Sequence, residues 1–221
     1  IVDFDVVAWI RSEMRVMLDE EIARAILIGD GRPSDSDDKI QESHIRPIIT
    51  DVPLFNTKVK VQTAASDDES ATAKAIINAA IKARKDYKGS GNPSLFTTED
   101  YLTEMLLLED GIGHKLYRTE SELATALRVK DIITVEPMSG MKVDNMPLIG
   151  VIVNMSDYNI GADKGGEINM FDDFDIDYNQ QKYLIETRIS GALVKPYSAL
   201  TLLLDKGSAS SSTTQTAKFT E

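Results

Sequence analysis

The stretch that most constrains the fold runs from residue 166 to residue 204, where the sequence predicts one long β-hairpin followed by a short strand. Apolar and polar residues alternate along both arms, which is typical of a strand with two different faces. The apolar positions are Phe174, Ile176 and Tyr178 in the first arm and Tyr183, Ile185 and Ile189 in the second. Because a two-stranded ribbon is marginal in water by itself, it must pack against a helix, a further strand or another subunit.

The predicted register of this hairpin places a two-residue turn at Gln180 and Gln181. Both arms then place their apolar residues on the same side, which favours this register over a one-residue slip. The predicted pairs are Tyr178 with Tyr183, Ile176 with Ile185, Phe174 with Thr187 and, on the polar face, Asp173 with Arg188.

Composition limits the classes of function. With 221 residues, the chain forms one large domain or two small ones. A net charge of −12 argues against a protein that binds nucleic acid over its whole surface, although a local basic strip remains compatible with it. The absence of cysteine excludes disulfides, thiolate catalysis and Cys-ligated zinc. No apolar run approaches about 20 residues and no signal peptide opens the chain, so we expect cytoplasmic synthesis of a product that is processed or trimmed before Ile1.

The strongest helix prediction covers residues 5–28. Asp5 is the expected N-cap, apolar residues recur at helical spacing, and Gly29 stands where a C-terminal cap belongs. At about 36 Å such a helix is long for a chain of this size. The side chains expected in its core are Trp9, Met14 and Met17. The polar, acidic segment 34–44 that follows is predicted as a surface loop.

The middle of the chain predicts a compact α/β unit. Short extended pieces around residues 48–61 precede three helices, each announced by a Ser or Thr with an acid three residues later. These helices are predicted from Ser66 with Glu69 to about Tyr87, from Thr97 with Asp100 to about Glu109, and from Thr119 with Glu122 to about Arg128. Strands are expected at 95–96, 132–135 and 148–153, the last covered on both faces. The long helix and the long hairpin, at the two ends of the chain, are expected to pack together, with a flexible link at 161–166 and a flexible tail at 206–221.

Four acidic residues of the hairpin are the best candidates for chemistry. They are Asp172, Asp173, Asp175 and Asp177, and the last three share a face at a spacing of roughly 6.5–7 Å, where they could hold calcium or magnesium. A solvated strand face, or one that meets basic residues of a neighbour, is the more common use of this pattern. A metal-dependent hydrolase that uses Asp172–Asp177 therefore stays an alternative, and calcium, magnesium or manganese binding would distinguish it.

Three other sequence features have a common structural explanation beside the functional one. His44 and His114, the two histidines, are predicted as surface imidazoles rather than a catalytic pair. The run Gly29–Arg32 follows a helix, whereas phosphate loops precede one, so it indicates a helix cap. A basic cluster could bind an acidic partner or nucleic acid as a simple binding module, or could be a solvated face that favours a helix C-terminus. Its members are Lys74, Lys82, Arg84, Lys85 and Lys88.

The order of long helix, GDGR turn, α/β unit and hairpin resembles the major capsid proteins of tailed bacteriophages, which have the Hong Kong 97-type fold. The residues that carry the resemblance are 21–32, EIARAILIGDGR, at the end of the family's spine helix, and 171–200, FDDFDIDYNQQKYLIETRISGALVKPYSAL, which resembles its peripheral hairpin and the return of the chain. The resemblance extends over nearly the whole chain to about Leu204. It implies an α+β fold with an α/β axial domain and a peripheral domain in which one long spine helix lies on a long antiparallel β-hairpin.

The resemblance also implies a division into domains. Residues 1–46 and 167–194 would form the peripheral domain, and residues 47–166 with the return strand 195–205 the axial domain, which meets its copies around five- and six-fold axes. The family's N-terminal arm and extended loop, which lace neighbouring subunits together, have no match in these residues. We therefore expect this chain by itself to be mostly monomeric or loosely oligomeric. No match can be placed for the Lys–Asn isopeptide bond of some relatives.

The function implied is that of a non-enzymatic structural subunit, without cofactor or metal, that tiles an icosahedral phage or prophage shell around DNA. Its partners would be copies of itself in pentamers and hexamers, with scaffolding, portal and maturation protease of the same phage, and without sequence-specific nucleic acid or membrane binding. The virion is its expected location. An encapsulin-like nanocompartment shell is the alternative with the same fold. Inter-subunit contacts are expected at Glu20, Arg24, Arg32, Asp173, Asp175, Asp177, Glu186 and Arg188.

Overall fold

The computed structural model describes residues 5–32, 35–36, 40, 44–64, 67–162 and 168–207. These residues form a mixed α+β fold. Its helices are α1 (Val6–Leu27), α2 (Glu69–Ala83), α3 (Glu99–Leu106) and α4 (Glu120–Leu127). Its strands are β1 (Asn56–Ala64), β2 (Ser94–Thr97), β3 (Ile132–Thr134), β4 (Lys142–Val143), β5 (Met146–Val153), β6 (Tyr158–Ala162), β7 (Asn169–Asp175), β8 (Gln180–Glu186), β9 (Ile189–Leu193) and β10 (Ala199–Gly207).

The central sheet has the strand order β1-β10-β5-β2-β3, with β4 paired to β5 at the side. The β1–β10 and β2–β3 pairs are parallel, whereas β5 runs antiparallel to both of its neighbours. Residues 148–153 of β5 are buried throughout, so the predicted strand with two covered faces is confirmed. We call this sheet together with α2, α3 and α4 the sheet unit.

Two hydrophobic cores lie on opposite faces of the sheet. On one face α2, α3 and α4 pack against the sheet, with Leu123 of α4 and Leu200 of β10 fully buried. On the other face lie the last turn of α1, the segment 45–49 and the β6–β9 pair, with Ile48 and Leu193 buried among them. The long helix therefore begins away from the sheet and ends in its second core.

The predicted helix starts are right at two positions and displaced at two. Asp5 caps α1, with its carboxylate accepting from the N–H groups of Val7 and Ala8 at 3.1 Å. Thr119 caps α4 by accepting from the N–H of Glu122 at 3.3 Å, as predicted. The cap of α2 is Asp68 rather than Ser66, which lies outside the described residues, and α2 ends at Ala83 rather than Tyr87.

The start of α3 was predicted one residue too early. Thr97 is the last residue of β2, where its hydroxyl donates to the carbonyl of Ile149 at 2.7 Å, and Thr98 precedes the helix. Helix α3 ends at Leu106 rather than near Glu109 because the backbone of residues 108–110 pairs with residues 114–116. The N–H of Leu116 donates to the carbonyl of Leu108 at 2.9 Å, and the N–H of Asp110 donates to the carbonyl of His114 at 2.8 Å.

Two segments predicted to be flexible lie partly in regular structure. Gly161 and Ala162 belong to β6, where they pair with Ser190 and Ile189 of β9. Strand β10 continues to Gly207 because it runs alongside β1 to the end of that strand. The rest of the predicted link, 163–166, and of the predicted tail, 208–221, falls outside the described residues.

Candidate assembly surface

Helix α1 and the β7–β8 hairpin lie together. From here on we call this pair the arm, which is not the N-terminal arm of the capsid family. Arg11 of α1 approaches Asp172 of β7 at 3.7 Å, and its guanidinium lies 5.9 Å from the ring centroid of Tyr183 of β8. This contact agrees with the prediction that the two ends of the chain pack together. Only one stripe of α1 is half-buried, at Ile10, Met14, Leu18 and Ile22.

Outside this stripe and the buried last turn, α1 exposes apolar side chains. Trp9 is 52% exposed and Met17 63% exposed, so the prediction that both are core residues is wrong, while Met14 is half-buried. The physical reason is that apolar residues occur on all sides of this helix, whereas the hairpin covers one side only. Val6 and Val16 are similarly exposed. A helix with this distribution has an uncovered apolar surface that another molecule can bury.

The register of the hairpin differs from the predicted one. Asp175 pairs with Gln180, and the turn between them is Ile176–Asn179 rather than Gln180 and Gln181. Asn179 adopts a left-handed conformation with φ of 50°, which asparagine tolerates better than most residues. The carboxylate of Asp175 also accepts from the N–H of Asp177 at 3.1 Å and so closes the turn.

The four predicted cross-strand pairs are consequently wrong. Tyr183 pairs with Asp172, Ile185 with Met170, and Asp173 with Lys182, while Thr187 and Arg188 lie between β8 and β9. Ile176 and Tyr178 project from the turn and are 83% and 74% exposed.

The outer face of the hairpin, away from α1, carries an exposed apolar pair. Phe171 pairs with Leu184, and the two side chains are 51% and 56% exposed. Neither residue was predicted as a contact candidate, although Leu184 interrupts the polar positions Lys182, Glu186 and Arg188 of the second strand and was a visible signal. Because Phe174 is also half-exposed on the helix-facing side, the hairpin presents apolar surface on both faces.

The charged residues of the hairpin that were predicted as contact candidates differ in position and in ion pairing. Asp175 forms an ion pair with Lys182 of the same chain, and this hydrogen bond lowers the pKa of the Asp175 carboxyl. Asp173 is exposed opposite Lys182, Asp177 lies in the turn, and Glu186 is exposed at the last pair of the ladder. Arg188 is exposed beside the junction of β8 and β9. These groups share one hairpin, but the predicted contact between Asp173 and Arg188 does not form.

The remaining candidates lie at the sheet end of α1. Glu21 joins Arg24 at 3.8 Å and Arg32 at 3.3 Å, so both arginines already have a carboxylate of their own chain. Glu20 is exposed and lines, with Arg24, a cleft of about 380 Å³ closed by residues 134–137. The structure therefore groups Glu20, Arg24 and Arg32 and separates them from the hairpin candidates.

The acidic residues of the hairpin do not form a metal-binding group in the described part of the chain. Asp172 faces α1 and Arg11, whereas Asp173 and Asp175 lie on the opposite face. Among the described residues no group of three His, Asp or Glu side chains is arranged to hold a metal ion. His44 lines an apolar cleft of about 430 Å³ between α1 and β9, while His114 is exposed beside Asp110 in the α3–α4 loop, so the structure does not bring the histidines together.

The basic cluster at the end of α2 is only partly a solvated face. Lys82, Lys85 and Lys88 are exposed, but Arg84 is half-buried with its guanidinium 4.6 Å from the ring centroid of Tyr87. Burial lowers the pKa of Arg84, and Arg128 lowers it further. Burial and Asp157 raise the pKa of Tyr87 to about 12.

A buried junction holds the arm's base against the sheet unit. The Tyr158 hydroxyl donates to the carbonyl of Arg46 at 3.1 Å, and Arg46 forms an ion pair with the buried Asp51. Burial, followed by the negative charge of Asp51, raises the pKa of Tyr158 to about 12. Gly191 lies so close to the Tyr158 ring that a Cβ there would be 2.5 Å from Cε1.

Within the described part of the chain, no helix has the length and apolar character that crossing a bilayer requires. No protein-family model matches the chain, and no curated protein matches it either. Several solved structures are similar in fold. "Capsid of empty GTA particle computed with C5 symmetry" matches with a TM-score of 0.62 at 15% identity, over 91% of this chain and 67% of the other. "Capsid of native GTA particle computed with C5 symmetry" gives 0.58 at 15% identity, over 92% and 73%. A chain from Mycobacterium phage Bobi gives 0.58 at 13% identity, over 93% and 67%.

Proposed function

We propose that this chain, which has the fold of tailed-phage major capsid proteins, is a structural subunit of a phage or prophage shell and not an enzyme. The observation that carries the proposal is the fold likeness over 91% of the chain to a protein whose printed name is that of a capsid. The arm supports it independently, because its two exposed apolar surfaces need a partner and repeated copies of the chain would supply one.

The finer architecture we propose is the Hong Kong 97 type. The axial domain would be formed by residues 47–166 and 195–205, which hold most of the sheet unit. The peripheral domain would be formed by residues 1–46 and 167–194, which hold the arm. Support for this division comes from the chain path, since α1 and the hairpin are far apart in sequence but in contact through Arg11. In this arrangement the arm would extend between neighbours while sheet units meet around five- and six-fold axes.

Both chemical types of surface would take part in subunit contacts. The outer pair of Phe171 and Leu184, with Ile176 and Tyr178 at the tip, would supply the buried apolar area. The exposed charges at Asp173, Asp177, Glu186 and Arg188 would fix register and partner choice more than they add affinity. Asp175, already paired with Lys182, would stiffen the hairpin instead.

The proposal places the chain in the virion, after synthesis in the bacterial cytoplasm, with pentamers and hexamers of itself as the main partners. Scaffolding, portal and maturation protease of the same phage would be further partners. A net charge of −12 suits a wall that confines DNA without adhering to it. An encapsulin-like shell would need the same fold, but the matching structures are GTA particles and phages, which favours the phage proposal.

The test is production of the chain, joined to any residues that its gene encodes before Ile1, in a bacterial host, with electron microscopy of the particles. We expect closed shells from the chain extended in this way and their loss when it carries Leu184→Ser, because a polar side chain weakens burial of the outer hairpin face. Leu107→Ser is the matched control, since Leu107 is 59% exposed at the end of α3, outside the arm. Absence of shells from this extended chain without the substitution, under every condition that yields folded protein, would contradict the proposal.

A further inference from the structure

The sheet unit has opposite charges at its two ends, along the axis of α2. One end holds the C-terminus of α2, the loop after it and the start of β10. Its basic residues, which we call the basic end, are Lys82, Arg84, Lys85, Lys88, Arg128 and Lys195. The other end holds the N-termini of α2 and α3. Its acidic residues, which we call the acidic end, are Asp67, Asp68, Glu69, Glu99, Asp100 and Glu104.

Within the described residues no ion pair neutralises either end, although Asp86 lies among the lysines of the basic end and Lys206 lies near Glu104 of the acidic end. In the described residues, no carboxylate lies within 4.0 Å of the cationic groups of Lys82, Arg84, Lys85 or Lys88, and no ammonium or guanidinium lies that close to the acidic end. The two ends are separated by the 15 residues of α2, which is about 22 Å. Since the Debye length is about 8 Å at physiological ionic strength, one end scarcely stabilises the other in the same molecule.

Like charges crowd each end and cost stability in the isolated chain. Burial raises the pKa of Glu104, the carboxylates of Glu69 and Asp100 raise it further, and Lys206 lowers it. At the basic end burial and Arg128 lower the pKa of Arg84, whose Nε and Nη1 are shielded from water without a hydrogen-bond partner in the described structure. A facing surface of opposite sign would relieve only the like-charge part of each departure, which comes from Glu69 and Asp100 at one end and from Arg128 at the other.

Helix dipoles account for only part of this arrangement. An acidic first turn and a basic last turn stabilise any helix, which explains Glu69 and Lys82. Lys88 and Lys195 lie beyond the helix, where they contact the Tyr197 ring at 4.9 Å and the Ser90 hydroxyl at 3.3 Å. Their contacts hold two more positive charges at the same end without helping α2.

We infer that the basic end of one copy docks against the acidic end of a second copy, so that sheet units associate head to tail. The two surfaces are different and lie at opposite ends of one unit, so the contact is heterologous, and such contacts build rings or open chains rather than two-fold dimers. This inference rests on the proposed function, because it names the sheet-unit surfaces through which the subunits would meet.

The experiment uses two variants of the full chain that carry opposite reversals. Lys82→Glu, Lys85→Glu and Lys88→Glu make both ends acidic, while Glu69→Lys, Glu99→Lys and Asp100→Lys make both ends basic and leave Asp68 and Thr98 at the helix starts. The control is Arg15→Glu, Lys74→Glu and Arg118→Glu, three exposed cations outside both ends whose reversal changes the net charge by the same amount. Circular dichroism establishes that each variant is folded.

Sedimentation velocity at low and high salt measures association. We expect the unchanged chain and the control to self-associate, each reversed variant alone to do so about tenfold more weakly or worse, and an equimolar mixture of the two reversed variants to recover association that salt abolishes. Carbodiimide treatment of the mixture should join lysines of one variant to glutamates of the other. A mixture that stays monomeric at low salt overturns the inference.

The same variants separate this inference from the shell proposal. Shells formed equally well by both reversed variants would overturn the head-to-tail contact and leave the shell proposal standing. Association of the mixture, without shells from any form of the chain, would support the contact and contradict the shell proposal.

Discussion

The sheet unit and the arm differ most in how they bury their apolar residues. In the sheet unit Leu123 and Leu200 are fully buried between helices and sheet. In the arm Leu184, Phe171 and Trp9 are each about half exposed. The sheet unit thus buries its apolar side chains within one chain, whereas the arm leaves large apolar side chains partly exposed to solvent.

This difference separates folding from assembly. Residues of the sheet unit contribute to the stability of the isolated chain. In the proposed shell, the exposed apolar residues of the arm would be buried by another copy of the chain. We therefore expect the arm to open at a lower free energy than the sheet unit in the isolated chain.

The largest expected effect compares the same truncation in the two regions. Leu123→Ala should lower the free energy of unfolding by about 2–5 kcal/mol, because it leaves a cavity in a closed core. Leu184→Ala should change it by less than about 0.5 kcal/mol, because the side chain is already 56% exposed. Urea unfolding followed by circular dichroism measures both values. Equal losses in the two variants would mean that the arm is as self-sufficient as the sheet unit.

The junction between the regions provides the second prediction. Gly191→Ala should lower the free energy of unfolding by about 1–3 kcal/mol, because the new Cβ displaces the buried Tyr158 ring and its hydrogen bond to the Arg46 carbonyl. Gly111→Ala is the matched control, since a Cβ at that glycine meets no heavy atom within 4 Å. If the two alanine variants unfold alike, the junction does not clamp the base of the arm.

The sequence predicts the sheet unit better than the arm for a physical reason. Residues 148–153 form an unbroken apolar run. Because its own chain buries this strand on both faces, the run by itself is enough to predict the strand. The Thr119 cap is likewise a local signal that the structure confirms. The cap of α2 was missed because Asp68 and Ser66 are both suitable N-cap residues in the sequence. In the structure the N–H of Ala71 donates to the carboxylate of Asp68 at 2.7 Å.

In the arm the same kind of reasoning could not fix the register. Tyr183 pairs with Asp172 instead of Tyr178, which is an even shift along the strand. Even shifts keep every side chain on its face, so alternation alone cannot detect them. Turn chemistry at Asn179 decides the register. The exposure of Trp9 could not be predicted either. The sequence shows that a side chain is apolar, but not whether the surface that buries it belongs to the same chain.

A smaller effect concerns the pH dependence of the junction. The pKa of Tyr158 is raised from 10.0 to about 12 in the folded chain, so between these values the folded state holds a proton that the unfolded state has lost. The stability that this pKa shift contributes is therefore fully present below pH 10 and is lost as the pH rises towards 12. Urea midpoints measured across this range should fall less steeply in Tyr158→Phe than in the unchanged chain. Identical slopes would mean that the junction tyrosine ionises freely. Tyr87, whose pKa is also raised to about 12, and Tyr101, whose pKa is raised by burial, contribute to the slope that remains in the variant.

The smallest effect comes from removing one helix cap in each region. Thr119→Ala should lower the global free energy of unfolding by about 1 kcal/mol, because α4 packs into the closed core of the sheet unit. Asp5→Ala removes a cap with two hydrogen bonds, yet it should leave global unfolding unchanged, because the exposed start of α1 opens locally before the chain unfolds. Hydrogen exchange at the N–H groups of Val7 and Ala8 should speed up instead. A global loss from Asp5→Ala as large as that from Thr119→Ala would show that the arm and the sheet unit unfold together.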